Sequence, residues 1–592
     1  MRRIELADVD VCVAGGGMAG LCAALAAARS GCKTVLVQDR PVLGGNASSE
    51  IRVHITGADC HGGKPGWRET GIIEELRLEN VHRNPQENYW QWDMLLWEFA
   101  TREPNLRLLL NTSVFEVETN AARIAAVRAL QLGSECIYTV RAQFYVDCTG
   151  DGTLGAEAGA EFRMGREAAG EFGESLAPEQ ADAGTMGHST PFTAELTTAP
   201  VHFRPFSWAY AFPDETKLAH RYGHDACKRG FWWIEAGGQD GRHIIHDTPA
   251  ITAELWKITA GMWDHIKNHG DHAATPWDLK EVARIPGKRE SRRFVGDYIL
   301  SQKDLDRGVV HEDEAAYGGW PADLHNINGF WHEAPAALFH QIDGVFGIPL
   351  RTLYSRNIAN LFFAGRTHSA PHAAMGSTRV MGTCSVMGQA AGTAAATCVA
   401  RGCSPRDMAT RHIKDLQQRL LRDGCFLPHV GADDPADLAR RARVSASSSA
   451  PGSPPEKVID GIARDIPGGE RHAWESDPAA GLPAYIELQW QSQQKLTEVR
   501  LTWDSDLSKE LSMAWYPPAG GRRLTQTPGL LARDYRIEAW LGDALQAALE
   551  VKDNSQRVRV HHLNLEKATR IRIVVERNWC AHTARLFEVR CY

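Results

Sequence analysis

A glycine-rich segment near the start of the chain constrains the fold more than any other feature. An apolar run at residues 9–14 leads into GGGMAG at 15–20, and an alanine-rich segment follows to residue 29. This order predicts a strand, a tight turn and a helix, the unit that places a dinucleotide pyrophosphate at a helix N-terminus. Residues 34–37 (TVLV) follow at the distance of a second strand. The sequence therefore predicts a bound dinucleotide rather than an ordinary glycine turn.

A second glycine pattern, GDGTLG at residues 150–155, follows a predicted buried strand at 144–149. By itself the pattern allows two interpretations: a second nucleotide site for NAD(P), or a further part of the first site. No separate βαβ unit surrounds it. This favours a single cofactor, which the chain contacts a second time where it returns to the first sheet.

Composition and charge exclude several classes of protein. The 592 residues suggest two to four domains. Net charge is −8, from 65 basic and 73 acidic residues with no basic block, and no apolar run reaches the roughly 18 residues of a membrane span. We therefore expect neither nucleic acid nor membrane as a partner. The chain runs almost directly into its first strand, which leaves no room for a signal peptide and predicts a cytoplasmic protein.

The 13 cysteines form no Cys-x-x-Cys pair, and many lie in apolar surroundings. Their number is odd. Reduced, buried thiols are therefore expected rather than disulfides or an iron–sulfur site.

The chain divides into five predicted segments. Residues 1–165 alternate strand and helix, with a β pair at 105–118 and strands at 123–131 and 135–146. Residues 166–345 are rich in Trp, His and Pro and are interpreted as a substrate or cap domain with a helix near 256–266. Residues 346–400 return to the first domain, with a strand that ends at Gly365 and a small-residue helix at 382–396.

The last two segments differ in composition from the rest. Residues 401–440 are expected to form a helical linker with one amphipathic helix at about 404–424. After the Ser- and Pro-rich residues 445–455, short alternating stretches at 441–592 predict a β-sandwich. The predicted fold class is an α/β Rossmann-like domain with an inserted α+β substrate domain and a C-terminal all-β jelly-roll sandwich.

Several motifs occur in an order typical of one family. They are GGGMAG at 15–20, PVLGGNASSE at 41–50, DCTGDG at 147–152, PGKRESRR at 286–293, AGR at 364–366 and GSTRVM at 376–381. Over roughly residues 5–400 the chain thereby resembles the FAD-dependent oxidoreductase family of glutathione-reductase-like flavoproteins, in the branch with a GGNAS segment after the second strand. The resemblance implies FAD bound across the first sheet.

The resemblance also implies a set of cofactor-binding residues. They are Gly15, Gly17, Met18, Ala19, Gly20, Gln38, Asp39, Arg40, Gly44, Gly45, Asn46, Val114, Thr149, Gly150, Asp151, Gly365, Arg366, Met381, Gly382 and Thr383. In the family pattern the first glycines hold the pyrophosphate, Gly365 approaches the ribityl chain, and the backbone at 381–383 faces the flavin pyrimidine. One departure is that Gln38 replaces the usual ribose-binding acid, with Asp39 next to it. Which of the two contacts the ribose is open.

Candidate catalytic residues follow from the chemistry of a flavin. Hydride transfer at flavin N5 needs an apolar slot and a group that moves the accompanying proton. His54, His368 and His372 lie on segments that the family places near the flavin ring. We expect one of them to relay the proton, His372 or His368 ahead of His54 because the turn after Gly365 brings their segment over the cofactor. A structural histidine is the alternative for each, and Glu235 is the next candidate.

Arg289, Arg292 and Arg293 are candidates to anchor a substrate carboxylate or phosphate through paired hydrogen bonds. The alternative is a structural ion pair, with Glu290 or Asp297 as the partner of Arg292 or Arg293.

Trp232 and Trp233 with Glu235 suggest a stacking wall for a sugar ring, although tryptophan pairs also occur in protein cores. No metal site is predicted. Cys60 and His61 are adjacent rather than spaced as ligands, and a proline interrupts any helix between His368 and His372.

Residues 441–592 resemble the discoidin-like, galactose-binding jelly roll. The matching segments are VSASS at 444–448, VIDG at 458–461, AWESD at 473–477 and IEL at 486–488. The fold in such relatives binds sugars or only packs against the enzyme. The aromatic pair Trp515 and Tyr516 suits either use.

The sequence therefore predicts an FAD-dependent oxidoreductase that transfers a hydride between a polar small molecule, best a carbohydrate or polyol, and flavin N5. One alternative is a reductase of conjugated alkenes with an arginine as proton donor. Another is a sugar-binding protein whose flavin domain is structural. The substrate, the electron acceptor, the mode of FAD attachment and the oligomeric state are left open.

Overall fold

The computed structural model describes residues 1–218, 220–221, 223–224, 234–238, 241–514 and 521–592. Trp232, Trp233, Trp515 and Tyr516, singled out above, lie outside the described residues. The chain forms two compact units. The first unit contains residues 1–57, 89–412 and 513–514, and the second unit contains residues 58–88, 413–512 and 521–592.

Eleven α-helices are present in the described part of the chain. They are α1 Met18–Arg29, α2 Ile72–Arg83, α3 Tyr89–Thr101, α4 Thr153–Glu157, α5 Ala169–Phe172, α6 Thr248–Asp264, α7 Gln302–Arg307, α8 His372–Thr378, α9 Met381–Arg401, α10 Pro405–Arg411 and α11 Ile413–Arg422. The predicted single helix at 404–424 is wrong: α10 ends at Arg411 and α11 begins at Ile413, in the other unit.

The strands of the first unit are numbered β1 to β17. They are β1 Arg2–Ala14, β2 Thr34–Val37, β3 Leu106–Leu109, β4 Thr112–Asn120, β5 Arg123–Gln131, β6 Cys136–Asp147, β7 Phe162–Arg163, β8 His188–Ser189, β9 Phe192–Leu196, β10 Glu235–Ala236, β11 Trp277–Val282, β12 Arg293–Phe294, β13 Glu314–Gly318, β14 Ala322–His325, β15 Ala337–His340, β16 Phe346–Pro349 and β17 Leu361–Phe363. The second unit holds β18 Arg443–Ala446, β19 Trp474–Glu475, β20 Ala484–Trp503, β21 Ala532–Leu541, β22 Ala544–Val551, β23 Val558–Asn578 and β24 Arg585–Cys591.

A seven-stranded sheet organises the first unit, in the order β3-β2-β1-β6-β5-β4, with β17 paired to β6. The pairs β2–β3, β1–β2, β1–β6 and β6–β17 are parallel, whereas the pairs β4–β5 and β5–β6 are antiparallel. The residues predicted as a β pair at 105–118 do form two strands. However, β3 pairs with β2 and β4 with β5, so they do not pair with each other.

The register of the parallel strands brings four strand ends together. Ala14 lies opposite both Val37 and Asp147, and Phe363 lies opposite Asp147. In open α/β sheets, ligands bind beyond these carboxyl ends. The ends of β1, β2, β6 and β17 therefore position a site at one edge of the sheet.

Helices α1 and α9 pack closely because small residues line their contact. A Cβ on Gly388 would lie 2.0 Å from the Ala19 carbonyl oxygen, and one on Gly392 would lie 2.1 Å from that of Ala23. Both distances are impossible for real atoms, so only glycine allows these backbones to approach. The small-residue helix predicted at 382–396 is thus present within α9 and packs on α1.

The second unit is built on an antiparallel sheet in the order β19-β24-β20-β23-β21-β22, with β18 paired to β20. Its core contains Trp474, Trp503 and Tyr535 together with the inward residues of the long strands. This arrangement resembles a β-sandwich, as the sequence predicts. The described cysteines are free thiols, and no described helix is both long enough and apolar enough to cross a membrane.

Residues 58–88 belong to the second unit, a grouping that the sequence does not reveal. The fully buried Arg68 pairs with Glu74 at the start of α2 (2.8 Å) and donates to the Ser505 carbonyl oxygen (3.1 Å). The Ser505 hydroxyl donates to Glu74 at 2.6 Å. A buried ion pair with these added hydrogen bonds ties the segment to the residues after β20.

Replacing Arg68 by methionine is expected to destabilise the second unit by about 3–5 kcal/mol, because it leaves the Glu74 carboxylate buried without its charge partner. Denaturant unfolding followed by tryptophan fluorescence measures the change. The control is Arg83→Met, which removes an exposed partner of Glu79 on the same helix, where Arg83 is 45% exposed. For Arg83→Met the free energy of unfolding is expected to fall by only about 0–1 kcal/mol. Equal effects from the two variants would contradict the structural role of Arg68.

Candidate functional site

The glycine turn after β1 contains glycines of two kinds. Gly15 has φ +94°, and a Cβ there would lie 2.2 Å from the Cys148 carbonyl oxygen. A Cβ on Gly20 would lie 1.7 Å from the Gly15 carbonyl oxygen. Gly17 has an ordinary φ of −66°, and the nearest atom to a Cβ there is the Gly45 Cα at 3.8 Å. Gly15 and Gly20 are thus required by the fold, whereas the space at Gly17 is open.

Helix α1 begins immediately after Gly17, and no described side chain caps it. The first N–H groups of a helix have no partner within the helix and carry the positive end of its dipole. They form a binding site for an anionic group at the edge of the sheet.

The loop after β2 packs against this turn. The Gly44 N–H donates to the Gly16 carbonyl oxygen at 2.9 Å, and the Gln38 side chain accepts from the Gly16 N–H at 2.7 Å. The Gln38 amide also donates to the Val42 carbonyl oxygen at 3.0 Å. Both ends of the Gln38 side chain are thereby engaged with backbone. The neighbouring Asp39 side chain is 62% exposed.

The second glycine pattern forms the next wall. Buried Asp147 accepts hydrogen bonds from Thr149 and from the Gly155 N–H (2.8 Å), which shape the turn. Asp151 follows and binds the Lys288 ammonium at 2.5 Å, with Arg366 3.7 Å away. Burial by itself raises the pKa of Asp151, but Arg366 and Lys288 hold it below its usual value.

A cavity of about 450 Å³ lies among these segments. Of the predicted cofactor residues, those that line it are Gly15, Gly17, Met18, Ala19, Gln38, Asp39, Arg40, Gly44, Gly45, Asn46, Val114, Thr149, Gly150, Asp151, Gly365, Arg366 and Met381. Both glycine patterns therefore border one cavity, which favours the interpretation as parts of a single site.

Three predicted residues do not line this cavity. Gly20 packs beneath Gly15, and the Gly382 N–H donates to the Thr56 carbonyl oxygen at 2.8 Å. Thr383 is buried, and its methyl group would lie 3.1 Å from a Cβ on Gly318. These residues support the wall from behind.

The sequence analysis missed further lining residues. They are Ala14, Val37, Thr112, Ser113, Cys148, Thr153, Thr248, Ile285, Pro286, Lys288, Ala364, Arg379 and Cys384. Lys288 and Arg379 lie within the motifs PGKRESRR and GSTRVM, so the segments were recognised but these cations were not. Asn46 connects two of the walls, because its amide donates to the Lys288 carbonyl oxygen at 3.0 Å.

A cluster of charged residues adjoins the cavity through Arg379. Its guanidinium donates to Asp323 at 3.1 Å, and Asp323 lies 3.2 Å from His325. His325 Nδ1 lies 2.7 Å from Glu235, which pairs with Arg289 at 3.0 Å. We call these five residues the charged cluster. Burial raises the pKa of Glu235, but Arg289 and His325 bring it below its usual value, so the carboxylate is ionised.

The predicted catalytic residues thus separate in the structure. Glu235 and Arg289 are joined in the charged cluster. Arg292 instead donates to the Asp151 carbonyl oxygen at 3.1 Å and lies 5.3 Å from the ring centre of Phe162.

His368 and His372 lie in buried networks outside the cavity lining. His368 is fully buried against the Thr378 hydroxyl at 2.6 Å, and burial lowers the pKa of this ring to about 3. His372 Nδ1 lies 2.9 Å from Glu290, which also pairs with the buried Arg293. The His368 ring resists protonation and is therefore poorly suited to relay a proton.

His54 is half-buried on a segment that joins two sides of the cavity. The Val53 N–H donates to the Asn46 carbonyl oxygen at 2.8 Å, and the Thr56 carbonyl accepts from the Gly382 N–H at 2.8 Å. His54 therefore lies between a lining residue and the first turn of α9.

The fold and this cavity define a dinucleotide-binding protein of the Rossmann class. The family model described as FAD dependent oxidoreductase matches residues 10–420, and the chain belongs to that family. FAD is accordingly its cofactor. A model of a domain of unknown function matches residues 437–511.

Similarity to individual proteins is more limited. The tRNA uridine 5-carboxymethylaminomethyl modification enzyme MnmG of Lactobacillus gasseri is 32% identical over 125 residues, 18% of this chain. The match spans only 19% of the length of that curated relative.

Similar solved structures include a fucose binding module of Streptococcus pneumoniae, which is 13% identical with a TM-score of 0.21. The match covers 26% of this chain and 97% of that one. Another is the family 32 CBM of Clostridium perfringens NanJ, 17% identical over 26% of this chain and 96% of that one, with a TM-score of 0.19.

The cavity fits FAD by an observation independent of the family. Arg366 is half-buried at the cavity wall, and its buried Nη1 finds no hydrogen-bond partner among the described residues. A buried N–H group without a partner is costly, and an anionic or hydroxyl-rich group beside it would offset that cost. Together with the uncapped N-terminus of α1, it provides donors suited to a phosphate-bearing cofactor.

Proposed function

We propose that this protein is an FAD-dependent oxidoreductase that transfers a hydride between a polar small molecule and FAD, with a carbohydrate or polyol as the preferred substrate. The observation that carries the proposal is the charged cluster, which Arg379 connects to the cavity wall. When bound, FAD supplies the acceptor or donor of the hydride. The cluster supplies fixed polar groups beside it.

The composition of the charged cluster supports a hydroxyl-rich substrate. Arg289 and Arg379 offer only donors, whereas Glu235 and Asp323 offer acceptors. Each hydroxyl of a polyol both donates and accepts, so it can use both kinds of partner. Mutual pairing within the cluster holds these groups in place before a substrate binds.

We further propose how the chain holds its cofactor. The backbones of Gly15 and Gly17 and the N-terminus of α1 take the pyrophosphate, and Gly365 lies along the opposite wall. Asp39 is the better candidate for the ribose, since both ends of the Gln38 side chain already bind backbone.

For the proton we propose His54 rather than His372 or His368. Oxidation of an alcohol removes a hydride from carbon and a proton from oxygen, and leaves a carbonyl. The proton needs an acceptor beside the cavity, near the lining residue Asn46 and the first turn of α9, where Gly382 lies behind the wall. His54 is on the segment that joins these two residues, and unlike His368 it is not fully enclosed.

The alternative reaction, reduction of a conjugated alkene with an arginine as proton donor, has less support. An arginine does not deprotonate readily, and Arg289 is moreover paired with Glu235 at 3.0 Å. The third hypothesis, a sugar-binding protein with a structural flavin domain, assigns no chemical role to the charged cluster.

Anaerobic mixing of the flavin-loaded protein with a panel of sugars, polyols and enoates tests the proposal. At least one sugar or polyol is expected to bleach the oxidised flavin absorbance. Glu235→Gln should slow the bleaching of the flavin by about tenfold or more, because the substitution removes a charge from the site. Glu254→Gln is the matched control, since Glu254 binds Tyr210 and Trp331 outside the charged cluster and should respond as wild type.

Two results would contradict the proposal. Reoxidation of chemically reduced flavin by an enoate, with no bleaching by any sugar or polyol, would favour the alkene reductase. Binding of sugars without any change in flavin absorbance would favour the binding protein.

A further inference from the structure

Four metal-ligating side chains converge in the first unit, and none of them lines the cavity. They are Glu215, His224, His265 and His272, and one ligand atom from each lies within 4.8 Å of all the others. We propose that these four residues bind a zinc ion.

The distances between the ligand atoms fit tetrahedral coordination. With zinc–ligand bonds of about 2.0–2.1 Å, the edge of a coordination tetrahedron is about 3.3 Å. His265 Nε2 lies 3.1 Å from His272 Nε2 and 3.0 Å from Glu215 Oε1. Glu215 Oε1 lies 3.6 Å from His272 Nε2, and Glu215 Oε2 lies 3.4 Å from His224 Nε2. These four distances lie close to that edge, and the four ligand atoms all lie within 4.8 Å of one another, so small side-chain movements would complete the coordination.

Backbone carbonyls orient two of the imidazoles. His224 Nδ1 donates to the Arg221 carbonyl oxygen, and His265 Nδ1 donates to that of Phe212, both at 2.8 Å. A proton fixed on Nδ1 leaves the lone pair on Nε2, the atom that faces the other ligands. Metal-binding histidines typically use their second nitrogen in this way.

The three imidazoles surround a common point. Their ring centres are 5.0–5.5 Å apart, for the pairs His224–His265, His224–His272 and His265–His272. Such rings would bring three neutral nitrogen ligands together with one carboxylate, a donor set that suits zinc. Four protein ligands also fill a tetrahedral site, which indicates a structural rather than a catalytic ion.

Burial and charge at the site favour a cation. His265 is fully buried, whereas the Glu215 side chain is 55% exposed and leaves a route for the ion to enter. The Glu215 carboxylate is the one acidic group among the four ligand residues.

The local structure around His265 is also unusual. Helix α6 ends at Asp264, and residues His265–His269 continue as a π-helical turn. Such turns are rare and occur frequently at functional sites. The ion would tie this helix end to His224 and to the turn at Glu215, which lies 50 residues before His265 in the sequence.

Full-length protein stripped with a chelator and then titrated with Zn²⁺ tests the proposal. Wild type is expected to bind one Zn²⁺ per chain, to gain thermal stability from it, and to show the strong visible absorption of tetrahedral Co²⁺ when loaded with Co²⁺. Glu215→Gln and His272→Ala should each weaken Zn²⁺ binding at least about tenfold. Because Glu215 is at the surface, its variant should fold, and retained flavin absorbance checks this.

The matched control is His562→Ala, which removes a histidine that is 71% exposed in the second unit. It should bind Zn²⁺ as wild type does. The proposal is wrong if stripped wild type binds no Zn²⁺, if Glu215→Gln and His272→Ala both bind it as tightly as wild type, or if Co²⁺ gives no tetrahedral spectrum. None of these readouts depends on the oxidoreductase reaction.

Discussion

Replacing Gly17 by valine is expected to abolish flavin binding while the protein remains folded. Position 17 has a backbone conformation that any residue adopts, and a Cβ there meets only the Gly45 Cα, at 3.8 Å. The valine methyl groups would instead occupy the cavity beside the N-terminus of α1, where the pyrophosphate is proposed to bind. Purified protein should lose its flavin absorbance, and circular dichroism should match wild type.

The matched control is Gly170→Val. A Cβ on Gly170 meets no described atom within 4 Å, so the same change in size is made in open space and flavin should be retained. Gly15→Val would be uninformative, because its side chain would collide with the Cys148 carbonyl and disrupt the fold itself. Full flavin content in Gly17→Val protein would show that the cofactor lies elsewhere.

The sequence predicts the cofactor-binding half of the fold well because its signals are local. Strand β2 begins and ends at the predicted residues, Thr34 and Val37, since a short buried apolar run between turns has few alternatives. The glycine at position 15 needs a positive φ, and the one at position 20 needs close backbone packing. Both requirements exclude other residues, so glycines at these positions predict the local backbone conformation.

Features that depend on distant partners could not be predicted in this way. The interval 404–424 has the composition of one helix, but the chain changes unit at His412 and Ile413. Residues 58–88 follow the cofactor motifs closely, yet Arg68 and Glu74 are buried with Ser505, more than 400 residues away. Local periodicity contains no information on such pairing.

The candidate site shows the same limit. Glu235 and Arg289 were singled out by residue type, but their direct pairing requires the three-dimensional structure. The same holds for the connection of Glu235 through His325 and Asp323 to Arg379. The zinc ligands proposed here are likewise scattered from residue 215 to 272, with no recognisable ligand spacing. A histidine in a sequence has no orientation, and only the fold decides whether its lone pair meets another ligand.

Replacing His54 by alanine is expected to slow reduction of the flavin by substrate by about 10²–10⁴-fold, the usual contribution of general acid–base catalysis. The variant should keep its flavin spectrum, because no cavity-lining atom is removed. Stopped-flow absorbance under anaerobic conditions measures the rate with the substrate found in the panel. Added imidazole should restore part of the rate, and the pH dependence of the wild-type reaction should be lost.

The comparison with other histidines decides between a proton relay and a structural role. His340→Ala is the matched control: His340 is also half-buried and pairs with Asp306 at 2.9 Å, outside the cavity. It should react at the wild-type rate. His372→Ala removes a partner of the buried Glu290, so its expected effect is loss of stability, without rescue by imidazole. The opposite result would be slow flavin reduction in His372→Ala, rescued by imidazole, with a normal rate in His54→Ala. The proton would then pass through the segment after Gly365, and the substrate would have to bind on that side of the cavity.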